Sequence, residues 1–537
     1  MTEIGQTPVG SRLAQVAAAL AASLVFSLPL VFLLAAGGSY LPFANESLAY
    51  RYFTSVRILD GQGGAVWTAQ GQLVTLVQHI IVTVLQSATT ADLKAMLEYF
   101  GVCTNLAAGL SMLAVYLSAS LDDRLRFSDK ALVLILGPAI LFGTINAGFY
   151  YSILPDYYAF SLVIINASAY LALRFYRDDP TYNVRHLYAA GVLCGIAAAN
   201  KFTLLGPAGI VALIAIARPP LDLDRFFNRT LLTGLICIAT FGLIFLGVYE
   251  FHLRDAIAGF RHWLGFLQSA GAEPGFWESN FRMFQQLYNY DKIFFVWAAA
   301  TLFLAFEIVR LKAWRASTIL VANLFVAALL GIGLYKRGAG TTFFEVSSIL
   351  AGLAALSLAV GLGLRERAVW AWALPAGIFV AALSQFDFSH NWFVVTKSRE
   401  LARTSWEIRD YTAGLGRSVV IVIPDDSYVS NGVEDLLNKG LRDLASGHFG
   451  SAKAMKERIA PQTDFRQEPG IIEAGMAVVW FEKWDLAANR PLTETNPEEA
   501  RRWQILSRIA SINSCRTWRT GYSNQVLVHT CTVDRMQ

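Results

Sequence analysis

Charge is what this sequence has least of. Asp, Glu, Lys and Arg together supply 16% of its 537 residues, and 55% are hydrophobic. Soluble domains carry about 25% charged residues. The shortage is uneven: residues 13–36 and 231–248 contain no charged side chain, and runs of this kind reach the ~20 residues needed to cross a bilayer. A wholly water-soluble chain is thereby excluded, and a multi-spanning membrane protein of mainly α fold is expected. The net charge of +4 does not point to nucleic acid, because Lys and Arg are spread through loops rather than gathered on one face. Cysteine is scarce as well. Of the five, Cys103, Cys194 and Cys237 fall in apolar runs. Only Cys515 and Cys531 lie in the stretch after about residue 388, which reads as ordinary soluble protein.

The apolar runs put spans near residues 13–36, 97–119, 131–151, 157–173, 187–200, 203–217, 230–248, 293–309, 317–335, 343–363 and 369–386, about eleven in all. The first run, at ~24 residues, is too long for the apolar core of a secretory signal and is read as an uncleaved span. Basic loops set the orientation. With the N-terminus cytoplasmic, the inside loops hold Arg124, Arg126 and Lys130, then Arg174, Arg177 and Arg185, then Arg218, Arg225 and Arg229, then Arg310, Lys312 and Arg315, and finally Arg365 and Arg367. The short outside turns hold only Lys201 and the pair Lys336 and Arg337.

Residues 73–88 are apolar but short, and Thr75, His79, Thr83 and Gln86 draw a polar stripe down one helical face. That is the pattern of a helix lying in the membrane interface. It is therefore expected on the outer surface, inside a first outer loop covering 37–98. An odd number of spans then puts residues 388–537 outside, as a separate α/β domain beside a membrane module of residues 1–387. Strands are expected in this tail at 418–424, 477–481 and 525–530, and a helix at 433–445. Cys515 and Cys531 flank a hairpin-like stretch. In an oxidising compartment their pairing would close a loop worth about 3 kcal/mol.

Several chemistry-bearing groups share the outer face under this topology. The first loop opens with Asn45 and Glu46 and runs on through Tyr50, Arg57, Leu59, Gly61 and Gly63. Leu154, Pro155 and Asp156 sit where the third span turns back into the membrane. Lys201 tips a hairpin, and Lys336 and Arg337 follow the ninth span directly. The second large outer loop, 249–292, is rich in aromatic residues, which suits packing on lipid headgroups. Charges at membrane depth are expensive and often functional. A carboxylate there can act as general base, and several cations on one face can hold a phosphate as it leaves.

These motifs, in this order, resemble the GT-C membrane glycosyltransferases, and more narrowly the branch of protein O-mannosyltransferases and lipid A aminoarabinose transferases. The first-loop residues resemble that branch's acid, Tyr, Ala-Arg, Leu, Gly-x-Gly stretch. Pro155 and Asp156 resemble its Pro-Asp turn, and Gly191 to Gly195 to Lys201 its Gly-x-x-x-Gly helix ending in Lys. The resemblance covers roughly residues 10–365, and a periplasmic tail domain is in keeping with it. It implies a GT-C-like fold and transfer of a sugar from a polyprenyl-phosphate donor to a glycan, lipid or protein acceptor outside a bacterial-type plasma membrane. The transfer would be a single inverting displacement in cell-envelope assembly, with no Ser or Cys nucleophile. On this reading Glu46 is the general base and Asp156 orients the acceptor or holds a divalent cation, no other cofactor being implied. Arg57, Lys201, Lys336 and Arg337 are the candidates for the leaving phosphate, Arg337 being suited to bidentate contact.

Each residue also has a plainer reading. Glu46 could be a solvated loop acid, Asp156 a helix cap, Lys201 a snorkelling side chain, Lys336 and Arg337 interfacial anchors, and Arg57 a partner of Asp60. Glu307, three residues before Arg310, reads as an intrahelical pair. The competing function is a transporter or flippase of lipid-linked glycan. Against it, the charges cluster at one membrane face and no repeated halves or paired broken helices are detectable.

Overall fold

The computed structural model describes residues 9–35, 71–88, 93–126, 129–135, 137, 157–178, 182–269, 293–335 and 343–364, and in the tail 407–408, 410–411, 414–415, 419–422, 475, 477–485, 490–491, 514–520 and 525–534. The chain falls into two compact units, with the tail from Ser389 onward in the second.

The first unit is helical. Its elements are α1 (Val9–Ala35), α2 (Gln72–Ala88), α3 (Leu93–Leu121), α4 (Tyr157–Arg177), α5 (Val184–Asn200), a 3-10 turn (Phe202–Leu204), α6 (Leu205–Ile216), α7 (Leu223–Val248), α8 (Leu253–Ser269), α9 (Ile293–Leu311), α10 (Ser317–Tyr335) and α11 (Phe343–Gly363). Helices occupy the expected spans wherever these fall among the described residues. Of 131–151, only 131–135 and 137 are described, as helix, and 369–386 lies outside the described residues. Among the described residues, four helical segments are long and apolar enough to cross a membrane: Val102–Leu121, Ala159–Arg177, Leu223–Val248 and Phe294–Leu311.

Local chemistry sets several helix ends. Asn183 caps α5 by accepting the Arg185 N–H at 3.0 Å, and Asp222 caps α7 by accepting the Arg225 N–H at 2.8 Å; each satisfies a first-turn donor that has no partner within the helix. The burial pattern is that of a bilayer protein. Leu231, Leu235 and Ile238 of α7 and Leu302, Phe306 and Val309 of α9 are exposed, while Ser161, Asn166 and Ser168 of α4 are buried. Asn323 of α10, fully buried, donates to Leu353 O at 3.0 Å and to Ser357 Oγ at 2.7 Å on α11, and accepts from Trp297 Nε1 of α9 at 2.8 Å. Polar groups bond between helices and large apolar ones face outward, as packing in lipid requires.

α5 and α7 approach closely. A Cβ at Gly191 would lie 2.9 Å from Thr233 O, and one at Gly195 would lie 2.7 Å from Cys237 O. Small residues four apart allow this approach.

Helix α2 departs from expectation. It packs on α3, α5 and α7, burying Gln72, Thr75 and Gln78 and exposing Ile80 and Val84. Its polar face thus turns inward instead of toward water. Thr83, expected on the same stripe as Thr75, is exposed and bonds back to His79 O at 2.9 Å. Thr75 can be buried in this way because its hydroxyl donates within its own turn, to Gly71 O at 3.0 Å.

In the second unit, five strands form one sheet: β1 (Val419–Val422), β2 (Ala477–Asp485), β3 (Arg490–Pro491), β4 (Cys515–Thr520) and β5 (Gln525–Thr532), in the order β1-β2-β5-β4 with β3 beside β2. β1 runs parallel to β2; the other pairs are antiparallel. Three expected strands are present, β2 and β5 longer than expected, and β3 and β4 are additions to them. The helix expected at 433–445 lies outside the described residues. Cys515 stands opposite Cys531 in the β4–β5 register and the two form a disulfide, with Cα atoms 4.1 Å apart.

Candidate functional site

The described residues of the helical unit define two opposite ends. At one, the loops between helices bring their charges together. Arg174 Nε lies 3.3 Å from Asp122 Oδ2, which also accepts from the Tyr170 hydroxyl at 3.0 Å. Arg177 makes a two-pronged contact with Asp129 at 2.9 and 3.1 Å. Asp178 Oδ2 takes both Arg124 Nη1, at 3.1 Å, and His186 Nε2, at 2.6 Å. Arg229, buried at the start of α7, donates to the carbonyls of Ile216, Arg218 and Pro220 and lies 4.2 Å over the Tyr182 ring. On α9, the fully buried Glu307 holds Arg310 at 2.7 Å, the intrahelical pair expected from the sequence. The end of α9 stands level with these groups through α11, since Gly361 meets Phe303 and Leu304 while Gly363 meets Leu173.

His186 sits in the first turn of α5, ahead of the apolar stretch. Burial, and next the positive charge of Arg218, push its pKa below the ordinary 6.5, against the pull of Asp178. The ring is therefore held neutral, with Nε2–H donating to the carboxylate. Arg124, Arg174, Arg177, Arg229 and Arg310 each contact a partner named here, so this end reads as a clamp that ties the helix ends together.

Lys201 lies at the other end. α5 is 17 residues long, Val184–Asn200, which at about 1.5 Å each is roughly 25 Å. There Lys201 breaks the helix with an extended backbone (φ −159°, ψ 125°). Its N–H still donates to Ala197 O at 2.8 Å, and its carbonyl accepts from Leu204 N at 2.9 Å to open the 3-10 turn. The chain then enters α6, where Pro207 fits in the first turn because early helical N–H groups need no partner there. Lys201 is 3% exposed. It does not snorkel to the surface, although its neighbour Phe202 is exposed.

Two polar residues that sequence reasoning passed over fix this tip. Asn200, fully buried, donates through Nδ2 to Ser161 Oγ at 3.1 Å. Ser161 lies in the second turn of α4, whose first residue, Tyr157, follows Asp156 in the sequence. Thr203 Oγ1, two residues beyond Lys201, is buried and makes no hydrogen bond among the described residues. The signal that could have found this was a polar trio, Asn200, Lys201 and Thr203, interrupting apolar sequence opposite a polar helix start.

α4 and the 3-10 turn that leads into α6 both begin at this end, where α5 also ends, so the positive ends of two helices and the negative end of a third lie about the buried Lys201. Among the candidates for the leaving phosphate, Lys201 is thus described, while Arg57, Lys336 and Arg337 lie outside the described residues, as do Glu46 and Asp156. Among the described residues, no group of three or more His, Cys, Asp or Glu could hold a metal ion. No protein-family model matches the chain, and no curated protein matches it.

Proposed function

We propose that this chain is an integral membrane glycosyltransferase that moves a sugar from a polyprenyl-phosphate donor to an acceptor on the outer face. The observation that carries the reading is the buried Lys201, set between the starts of α4 and α6 and fixed by the Asn200–Ser161 bond. A cation kept from water at a helix end suits a phosphate that must be gripped more tightly as it departs. Asp156 adjoins α4 in sequence at the same end, which suits a carboxylate working beside that phosphate. Glu46 takes the role of base, and Arg57, Lys336 and Arg337 complete the set of phosphate ligands.

In this reading about eleven spans cross the membrane, the clamped basic end is cytoplasmic as the positive-inside rule asks, and Lys201 faces outward. The Cys515–Cys531 disulfide supports an oxidising, extracytoplasmic compartment for the tail.

The test begins with binding, which needs no knowledge of the sugar. A polyprenyl monophosphate added at 100 times its Kd should stabilise the purified protein by about 2.7 kcal/mol, and Lys201→Met should lose most of this. Transfer from polyprenyl-phosphate sugars should vanish in Glu46→Gln and Asp156→Asn with folding intact. Full transfer in all three variants would overturn the assignment. Movement of the intact donor across the bilayer without sugar transfer would establish the transporter instead.

A further inference from the structure

A second feature of the helical unit lies apart from Lys201. α7 ends in a paired turn: Phe251 N donates to Leu246 O at 2.9 Å and Glu250 N to Gly247 O at 3.1 Å. Glu250 and Phe251 both adopt positive φ, 51° and 62°. This arrangement stops a helix and redirects the chain, and α8 starts two residues later. α8 is held against the end of α7. Ala256 is buried with Phe245, Val248 and Tyr249, and Phe260 meets Phe245 edge-on at 6.1 Å between ring centroids. Gly259 lies under the Tyr249 ring where no Cβ fits. The bend is also tied to α2, through His79 Nε2 and Glu250 Oε1 at 3.4 Å.

The remaining surface of α8 is the informative part. Leu253, Ile257 and Phe260 are 63%, 45% and 38% exposed, and at about 100° per residue they fall within roughly 60° of arc. The sequence continues the spacing with Leu264 and Leu267. Arg254 and Arg261 are exposed along the next strip of the helix. A helix in water would not present so continuous an apolar stripe, and a span would not carry Arg254, Asp255 and Arg261. A narrow apolar stripe edged by arginines is instead the signature of a helix lying in the interface. Its attachment to the end of α7, the longest apolar segment, puts it where that helix leaves the hydrocarbon.

We propose that α8 is an in-plane membrane anchor: Leu253, Ile257 and Phe260 enter the acyl boundary, and Arg254 and Arg261 bind the phosphates of anionic lipid headgroups. Guanidinium suits this contact because its fork matches phosphate oxygens. The occupant is the bilayer itself, independent of any donor lipid.

The full-length protein in nanodiscs can test this. Nitroxide labels are placed at Ile257→Cys or at Ala258→Cys, in a background where Cys103, Cys194 and Cys237 are serine and the disulfide is kept. Collisional access to oxygen over a water-soluble nickel chelate should be several-fold higher at position 257 than at 258. Replacing a third of the phosphatidylcholine with phosphatidylglycerol should deepen the 257 label, and Arg254→Gln/Arg261→Gln should remove that shift. Equal water access at both positions overturns the in-plane anchor, and a depth unaffected by lipid charge overturns the phosphate contact. A second measurement avoids cysteine substitution: native mass spectrometry should show the arginine double variant retaining several-fold less phosphatidylglycerol than wild type, and equal retention refutes the proposal.

Discussion

Gly195→Ala tests the packing that carries the Lys201 hairpin. A Cβ there would sit 2.5 Å from Thr240 Cβ and 2.7 Å from Cys237 O on α7. Carbon atoms prefer about 3.5–4.0 Å, so α5 and α7 must separate by roughly 1 Å or the substitution must be absorbed as strain. One neighbour is a backbone carbonyl in mid-helix, which cannot swing aside as a side chain could. Overpacking of this kind costs about 1–3 kcal/mol, while replacing helical Gly with Ala returns about 0.8–1.0 kcal/mol. The expected net effect is about 0–2 kcal/mol of destabilisation. Gly234 and Gly242 on α7 supply the control, because a Cβ at either meets nothing within 4 Å. Alanine there should be neutral or stabilising by up to about 1 kcal/mol. Thermal unfolding in detergent, followed by tryptophan fluorescence, measures the three variants side by side. If Gly195→Ala is as stable as Gly242→Ala, the close approach of α5 and α7 is not what fixes this hairpin.

Three further outcomes follow from the same geometry. Asp178→Asn removes the shared partner of Arg124 and His186; the half-exposed Arg124 contributes little, and loss of the buried His186 contact should lower stability by about 2 kcal/mol, seen as a lower Tm. Because the His186 pKa lies below its ordinary 6.5, the fold favours the neutral ring, so its contribution is full above that value and lost as pH falls below it. Unfolding midpoints for wild type and His186→Gln should accordingly converge or cross at acid pH, and parallel curves would refute the link. Replacing Cys515 and Cys531 with serine, 16 residues apart, should destabilise the tail sheet by about 3 kcal/mol, read as protease sensitivity of the C-terminal unit without loss of the helical one.

Much of the helical layout was legible because a bilayer selects length and hydrophobicity, which are local sums. The bounds of α10 and α11 coincide with the apolar runs, and the Glu307–Arg310 pair follows from spacing alone. The β4–β5 disulfide was legible as a pairing but not as a register. β4 escaped notice because Arg516, Thr517 and Arg519 give it no apolar alternation. The inward polarity of α2 was misread for the opposite reason: a polar stripe specifies a face but not what covers it. Thr75 donates to Gly71 O in its own turn whether water or a helix covers it, and only packing on α3, α5 and α7 decided between the two. The site was legible in part. Its place at a hairpin tip and the resemblance singled out Lys201 as a candidate, while Asn200 and Ser161 looked like ordinary polar interruptions 39 residues apart.

The sequence by itself determined where the chain is apolar enough to leave water, where its basic residues gather, and which two cysteines share the charged tail. Each of these is a sum over neighbouring residues. Tertiary structure alone decided that Lys201 is buried rather than snorkelling, that the polar face of α2 turns inward, and that Gly191 and Gly195 carry a backbone-to-backbone approach. Burial and close contact are properties of pairs distant in the chain, and no local pattern contains both partners.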